Sequence, residues 1–499
     1  MNIHQATHQL ETAVRCYTAR DENGMPLVPP EAQRPLFLIG PPGVGKTDVV
    51  AQVARRLGVG LVSYTMTHHT RQSALGLPQI RTRRFGGEER AVTEYTMSEL
   101  LAGVYRHMEV SGCTAGILFL DEINCVSETL TPAMLELLQH KRFGEYALPE
   151  GWVIVCAGNP EKYNRAAHAF DPVTLDRLRV LQIEPDLAAW QEYAAQRQVH
   201  PSVRGYLRLK PEDFFRAEGE RIVTARSWMN LSDMMLALEQ GGGAADALLF
   251  GQYLQCGEVA ERFALYHALC RGVAAGFSLD AVLEGRDEAA EARFAQAGFD
   301  EALCAAMLLS DALNARICSA EETRERAQRL RYFAEGAIRE RGSGTIIDAA
   351  RENLSRMERA LAVRRSVNAI SVEEEARERA LHSEIRACIA ALYGAGDARS
   401  ALMEQLRLAE KEAMNKRGAL VRELSHALEF AQRAFADVHV RVIFLSELER
   451  NDVTLRFLKA NLPEPLEALR SGADPDRRAK ALRQALAGEN LTKLTGERG

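Results

Sequence analysis

The sequence predicts an α/β domain, a mostly parallel sheet with helices on both faces, followed by an all-helical remainder. Three observations predict it. Up to about residue 184, short apolar runs alternate with helical segments, as they do when a parallel sheet is covered by helices. A glycine-rich turn, "GPPGVGKT" at Gly40 to Thr47, separates the first of these runs from the first helix that follows it. Beyond about Pro185 the apolar runs give way to segments that are nearly all helical in period.

In chain order, the expected strands are Leu36 to Ile39, Leu61 to Thr65, Gly116 to Leu120, Val153 to Ala157 and Val180 to Ile183. Between the second and third, residues 79 to 95 are longer than a crossover needs. Centred on Gly86-Gly87, they read as a β-hairpin with Arg81, Arg83, Arg84 and Phe85 near its tip, or else as a solvated loop. "KRFGEYALPEGW" reads as a second hairpin. His68-His69 lacks a third ligand nearby, so it is read as structural and no metal is assigned to it.

From Pro185 to Gly285 helices are joined by breakers such as His200-Pro201 and Gly241-Gly242-Gly243. Boundaries near 185 and 286 therefore divide the chain into 1–184, 185–285 and 286–499. In the last part Ile347, Ala350, Leu354, Met357 and Leu361 recur at steps of three and four. So do Leu381, Ile385, Cys388 and Leu392, while Leu402, Leu406, Ala409 and Ala413 begin a third stripe. Ser371 and Glu374 form a capping box, and Gly342-Ser343-Gly344 and Gly394-Ala395-Gly396 supply turns. Each stripe is too short for a free coiled coil, which implies a packed helical bundle.

Composition sets limits. A chain of 499 residues, 46% hydrophobic, can bury more than one core, and ~3 domains are ordinary at this length. Nine cysteines without a C-x-x-C pair fit reduced thiols better than a disulfide framework or a zinc site, so a cytoplasmic location is expected. No signal core opens the sequence, and no membrane segment is expected from its apolar runs. A net charge of -6 gives no basic footprint, which disfavours nonspecific nucleic-acid binding.

The glycine turn has the spacing of a phosphate loop, in which backbone N–H groups curl around an anion. Its candidate nucleotide contacts are Gly40, Pro41, Pro42, Gly43, Val44, Gly45, Lys46, Thr47 and Asp48. Lys46 would reach the outer phosphates, and the Thr47 hydroxyl would ligate Mg²⁺. "GILFLDEIN" delivers Asp121 and Glu122 at the carboxyl end of a strand, where parallel sheets bind ligands. Asp121 would hold Mg²⁺ through water, and Glu122 would polarise an attacking water. The next strand, "WVIVCAGNP", ends at Asn159, whose amide would hold that water or a γ-phosphate oxygen.

In this order the motifs resemble those of the AAA+ ATPases, with Gly40 to Thr47 as Walker A, Leu118 to Glu122 as Walker B and Asn159 as sensor 1. "FDPVTLDRLRVLQIEPD" is similar to the segment after sensor 1 in the MoxR branch, which implies Arg177 as the arginine finger, with Arg179 able to share the role. "VTARSWMNLSDMM" is similar to the middle of that branch's helical lid and implies Arg226 as sensor 2, although Ala225 stands where proline is usual. A fainter likeness, "AFADVHVRVIFLSELERNDVTLRFL", resembles the tail of MoxR-like ATPases whose partners carry von Willebrand factor A domains. The same resemblance places a pore-facing insert at residues 79 to 95.

The resemblance implies ATP hydrolysis with Mg²⁺ in a homo-oligomeric ring, six subunits being the expected number. It also implies that the work is remodelling or maturation of a partner protein. Two alternatives are a nucleotide-switched scaffold with slow hydrolysis and a nucleic-acid translocase, the latter supported locally only by Arg81, Arg83 and Arg84.

Overall fold

The computed structural model describes residues 1–471 apart from 70, 71, 73, 75, 128, 219–220, 340–344, 367–369 and 394–396. The glycine turns at 342–344 and 394–396 lie outside the described residues. Contacts divide the chain into two units, Met1–Asp186 with Ser355–His382, and Leu187–Leu354 with the residues from Ser383 onward.

The first unit opens with helix α1 (Ile3–Thr18), capped by the reciprocal Asn2–Gln5 pair. Then come β1 (Leu36–Ile39), α2 (Lys46–Leu57), β2 (Gly60–Thr65), the hairpin β3 (Pro78–Phe85) and β4 (Glu88–Tyr95), α3 (Glu99–Ser111) and β5 (Gly116–Asp121). It closes with α4 (Thr131–His140), the short hairpin β6 (Arg142–Phe143) and β7 (Tyr146–Ala147), β8 (Trp152–Gly158), α5 (Pro172–Asp176) and β9 (Arg179–Gln182).

Five strands pair in the order β2-β5-β8-β1-β9, and every pairing among them is parallel. Side chains alternate across the sheet, so Leu36 and Leu38 pack with Leu10, Val14, Val50 and Val53 of α1 and α2. Phe37 faces the other way, into a layer with Leu118, Ile154, Leu101, Val104 and Leu137 from α3 and α4. Burying each such side chain contributes roughly 1.5–3 kcal/mol.

The β3–β4 hairpin is a separate ribbon. Gly86 and Gly87 form its turn with φ of 57° and 93°, the positive-φ pair that a two-residue hairpin turn requires. Its residues are almost all exposed, Ile80 at 82% and Phe85 at 53%. Neither strand pairs with the five-stranded sheet.

The second unit contains α6 (Leu187–Gln196), α7 (Pro201–Leu209), a ribbon of β10 (Arg216–Glu218) and β11 (Arg221–Val223), α8 (Ala225–Gln240), α9 (Ala247–Leu254) and α10 (Gly257–Ala275). These are followed by α11 (Leu279–Leu283), α12 (Glu288–Phe294) and α13 (Phe299–Arg339), which runs for 41 residues. Two helices, α14 (Ile346–Ser366) and α15 (Val372–Leu392), are assigned in part to each unit, with divisions at Ser355 and His382, and the expected Ser371–Glu374 capping box starts the latter. Last come α16 (Ala398–Ala434), α17 (Val438–Arg450), α18 (Asp452–Asn461) and α19 (Pro463–Ser471).

A large apolar core of this unit runs from Trp190 of α6 to Leu469 of α19, beside a small cluster of Leu303, Met307 and Ile443. Helix α13 lies at its centre, packed on α7, α10, α16, α17 and α18. Part of α13 is long and apolar enough to cross a bilayer, but Ala302 to Met307, Leu309, Leu313 and Ile317 are buried in protein, as in a core helix. In α14 the buried stripe begins at Ile346, with Ile347 half-buried, one position earlier than the sequence period suggested.

The charged side chains of Arg204, Arg208 and Glu447 are buried in this unit, with Asp311 and Arg450 half-buried beside them. Arg204 of α7 donates to Glu447 Oε2 of α17 at 2.6 Å, to Val199 O at 2.8 Å, and to Asp311 of α13. Arg208 also donates to Glu447, and Arg450 reaches both Glu447 Oε1 at 3.0 Å and Gln191 Oε1 at 2.9 Å. Burial alone would raise the Glu447 carboxyl, but the charges of Arg208, Arg204 and Arg450 outweigh it and hold the group at about 2.

One sequence expectation is corrected here. Cys270 of α10 and Cys304 of α13 are joined as a disulfide, whereas all nine cysteines were expected as thiols. The two are 34 residues apart, and only the packing of α10 on α13 brings their Cα atoms to 5.4 Å. The other seven cysteines form no disulfide.

Candidate functional site

The carboxyl ends of β1, β5 and β8 lie side by side in the sheet, and the chemistry-bearing residues of the first unit follow them directly. After β1 the chain turns through Gly43 and Gly45, at φ of 75° and 90°, into α2. These are left-handed values that a β-carbon penalises, so glycine is required for the loop to curl. At Gly40 a side chain would run into Ile183 O. Gly45 occupies the cap position of α2, and the first N–H groups of a helix have no acceptor within it. The turn therefore presents donors and the positive end of a helix dipole, which suits a phosphate.

Lys46 is buried within this turn. Its Nζ donates to Gly40 O at 2.8 Å, Pro41 O at 2.9 Å and Asn159 Oδ1 at 2.9 Å, so the first loop and the end of β8 share one cation. The Thr47 hydroxyl donates to Asp121 Oδ2 at 3.0 Å and joins the loop to β5. Glu122 follows in the left-handed conformation, φ 55°, with its N–H on Asp121 Oδ1 at 3.0 Å and its Oε2 accepting from Thr67 Oγ1 at 3.1 Å. Such backbone strain in a non-glycine costs about 1–3 kcal/mol and is found where a side chain must be aimed. Burial, together with Glu122 and Asp121, pushes the Cys125 thiol up, a sign of the negative field at this end of β5.

Two residues of this constellation were given no role by the sequence reading. Thr67 lies after β2 and carries no motif, so only the fold shows that it holds Glu122. Asn124 sits in the quoted "DEIN" run. It is buried, its Nδ2 donates to Asn159 O at 2.8 Å, and its backbone O accepts from His168 N at 2.8 Å. It thereby fixes the backbone on both sides of the 159–168 loop. A β-carbon at Gly158 would run into Asn124 Oδ1 and Cγ. Gly158→Ala is expected to displace Asn159, lowering stability by about 1–3 kcal/mol and weakening nucleotide binding. Chemical denaturation and fluorescent-nucleotide titration of the purified variant would check this.

Residues 35–178 match the family model described as the AAA domain, dynein-related subfamily. This segment is an AAA domain. No curated protein matches the chain. The AAA domain begins one residue before β1 and closes just before β9, so it contains Lys46, Thr47, Thr67, Asp121, Glu122, Asn124 and Asn159.

The three arginines Arg177, Arg179 and Arg226 are placed differently. Arg177 caps α5 within the AAA domain, is exposed, and its side chain makes no hydrogen bond or ion pair among the described residues. Its sequence neighbour Asp171 is occupied in capping α5 through Val173 N, Thr174 N and the Thr174 hydroxyl. Arg179 is engaged, donating to Gln9 Oε1 of α1 at 2.5 Å. Arg226 belongs to the second unit, exposed in the first turn of α8, which Thr224 caps with Ser227. A cation at a helix N-terminus opposes the dipole, so helix stability does not explain it.

Proposed function

We propose that the chain is a Mg²⁺-dependent ATPase of the AAA+ class and MoxR type that works as a homo-oligomeric ring, six subunits being the reading, to remodel or mature a partner protein. The observation that carries it is the convergence of Lys46, Thr47, Asp121, Glu122 and Asn159 on one end of a parallel sheet. Thr47 and Asp121 offer adjacent oxygen ligands, which fit a hard divalent cation. When bound, Mg²⁺ would neutralise phosphate charge. Lys46 would exchange its carbonyl acceptors for phosphate oxygens, Asn159 would hold the attacking water, and Glu122, kept in place by Thr67, would take its proton. Arg177 would complete a neighbour's site, and Arg226 would reach the nucleotide from the 185–285 lid.

The β3–β4 ribbon is read as the grip on a polypeptide client, a von Willebrand A-type protein being the partner of choice. Arg81 and Arg83 both pair with Glu94, at 3.6 and 2.6 Å, and Arg90 pairs with Glu88 at 3.0 Å. Charge satisfied inside the ribbon favours a protein client over nucleic acid. The cytoplasmic location and the division at 185 and 286 belong to the same proposal.

The direct test is steady-state hydrolysis of Mg-ATP by the full chain and by Glu122→Gln. The variant is expected to bind ATP as before and to turn over roughly 10²- to 10⁴-fold more slowly. Turnover at the unaltered rate would remove Glu122 from its role, and no hydrolysis by either protein would overturn the ATPase reading.

A further inference from the structure

A cavity of about 230 Å³ lies in the first unit away from the phosphate loop, between residues 17–33 on one side and 140–152 on the other. Its first wall precedes residue 35, where the AAA match begins, so the AAA domain does not by itself account for the cavity. Lys141 lines it. This residue ends α4 at φ 52°, a position where glycine or asparagine is usual and where lysine costs about 1 kcal/mol. Helix termination therefore does not explain a lysine here.

The Lys141 Nζ donates to Gln33 Oε1 at 2.5 Å and, more weakly, to Trp152 O at 3.4 Å. Gln33 cannot turn its amide over without loss, because its Nε2 already donates to Tyr17 O at 3.1 Å and Val28 O at 2.8 Å. Both acceptors of Nζ are thus neutral carbonyl oxygens, and among the described residues no carboxylate lies within ion-pair distance of it. Two acceptors match the two N–H bonds of an uncharged amine and leave its lone pair over. The titratable groups around the cavity are Tyr17 of α1, Arg20 after it, Glu31, His140 of α4 and Glu150. Burial lowers Lys141 to about 8, against a small opposing effect of Glu31.

We propose that Lys141 is a modification site, an amine that takes a small acyl group from an acyl phosphate held in this cavity. The nitrogen lone pair forms the new C–N bond, the bond from the acyl carbon to the bridging oxygen breaks, and the amine proton leaves with inorganic phosphate. The products are an amide on Lys141 and phosphate, with no further reactant needed. Arg20, on the cavity wall, donates to Gly24 O at 2.7 Å and pairs with Glu150 at 3.3 Å; drawn from Glu150, it is the cation on this wall that an acyl phosphate requires and a plain thioester does not. Acylation would leave Nζ one N–H for its two acceptors and fill the space between the two walls.

The test uses the full chain with acetyl phosphate as probe, a small acetyl thioester as comparison, and mass spectrometry to follow each lysine. At neutral pH a lysine with its proton lost near pH 8 has over a hundred times more free amine than an ordinary one, and its lower nucleophilicity returns about a tenth of that. Lys141 is expected to react with acetyl phosphate roughly tenfold or more faster than the exposed Lys162, Lys411 and Lys459, with a rate half-maximal at about pH 8. Gln33→Glu, which gives Nζ a carboxylate partner, is expected to slow Lys141 alone by roughly tenfold. A Lys141 rate no greater than that of the exposed lysines, or one still climbing well above pH 9 like an ordinary lysine, would overturn the proposal on the unaltered protein alone. Equal or greater preference for the thioester would overturn the assignment of the donor.

Discussion

Arg177→Ala is expected to leave ATP binding intact and to cut hydrolysis by roughly 10³- to 10⁵-fold, the range for arginines that complete a phosphoryl-transfer site. The expectation rests on the register of the sheet. Arg179 pairs with Leu36 and Gln182 with Ile39, so Arg177 stands level with the entrance to β1 while the phosphate loop leaves from its far end. The four residues of β1, Leu36–Ile39, alone span roughly 13 Å. That span is beyond an arginine side chain, so Arg177 has no route to the loop of its own chain. Its exposure and lack of partner leave it available to another subunit, whereas Arg179 is held by Gln9.

Mixing sharpens the test. A Lys46→Ala chain is inactive for want of nucleotide but still offers Arg177, and random co-assembly with Arg177→Ala restores about one complete interface in four. Partial recovery of hydrolysis in the mixture, with co-assembly checked by light scattering, is the expected result. No recovery despite co-assembly would place the missing charge elsewhere.

The second large effect concerns stability. Glu447→Ala would leave Arg208 and Arg450 with no ion-pair partner among the described residues and Arg204 with Asp311 alone, and breaking a buried pair in this way costs about 3–5 kcal/mol. The midpoint of urea unfolding, followed by circular dichroism on the full chain, should fall accordingly. A companion Glu447→Leu, Arg204→Met chain should recover part of the loss, since one charge of each sign is then gone. Titration gives an independent reading. Because Glu447 is held near 2 in the fold and relaxes to about 4.3 when unfolded, its contribution is present above that higher value and drains away as pH falls toward 2. A variant within about 1 kcal/mol of the parent, or one with an unchanged acid-unfolding profile, would show that the arginines are served by other groups.

Much of the sheet was legible in the sequence because parallel strands buried on both faces are written as short apolar runs. The five expected strands differ from the observed ones by no more than a residue at either end. The long hairpin was legible for a different reason, since Gly86-Gly87 specifies its own turn locally. The phosphate loop, Asp121 and Glu122 were readable because glycine spacing and strand ends carry the chemistry along the chain. What stayed hidden depends on contacts distant in sequence. Arg204 and Glu447 are 243 positions apart, and nothing near either predicts the other. Thr67 and Glu122 are 55 apart. The helical half reads as separate stripes, because periodicity identifies which face of a helix is buried but not against what. The large core running from Trp190 to Leu469 is a fact about that second question.

At 1.5 Å per residue, α13 is a rod about 60 Å long, clasped along its length by helices from both the early and the late parts of its unit. Angular displacement at one end of a stiff rod grows with distance. A tilt of roughly 10° imposed near Phe299 would sweep Arg339 through about 10 Å. Because its neighbours hold it, such a tilt would carry the packed helices with it, and a slight rocking at one end would become a displacement on the scale of a helix diameter at the other.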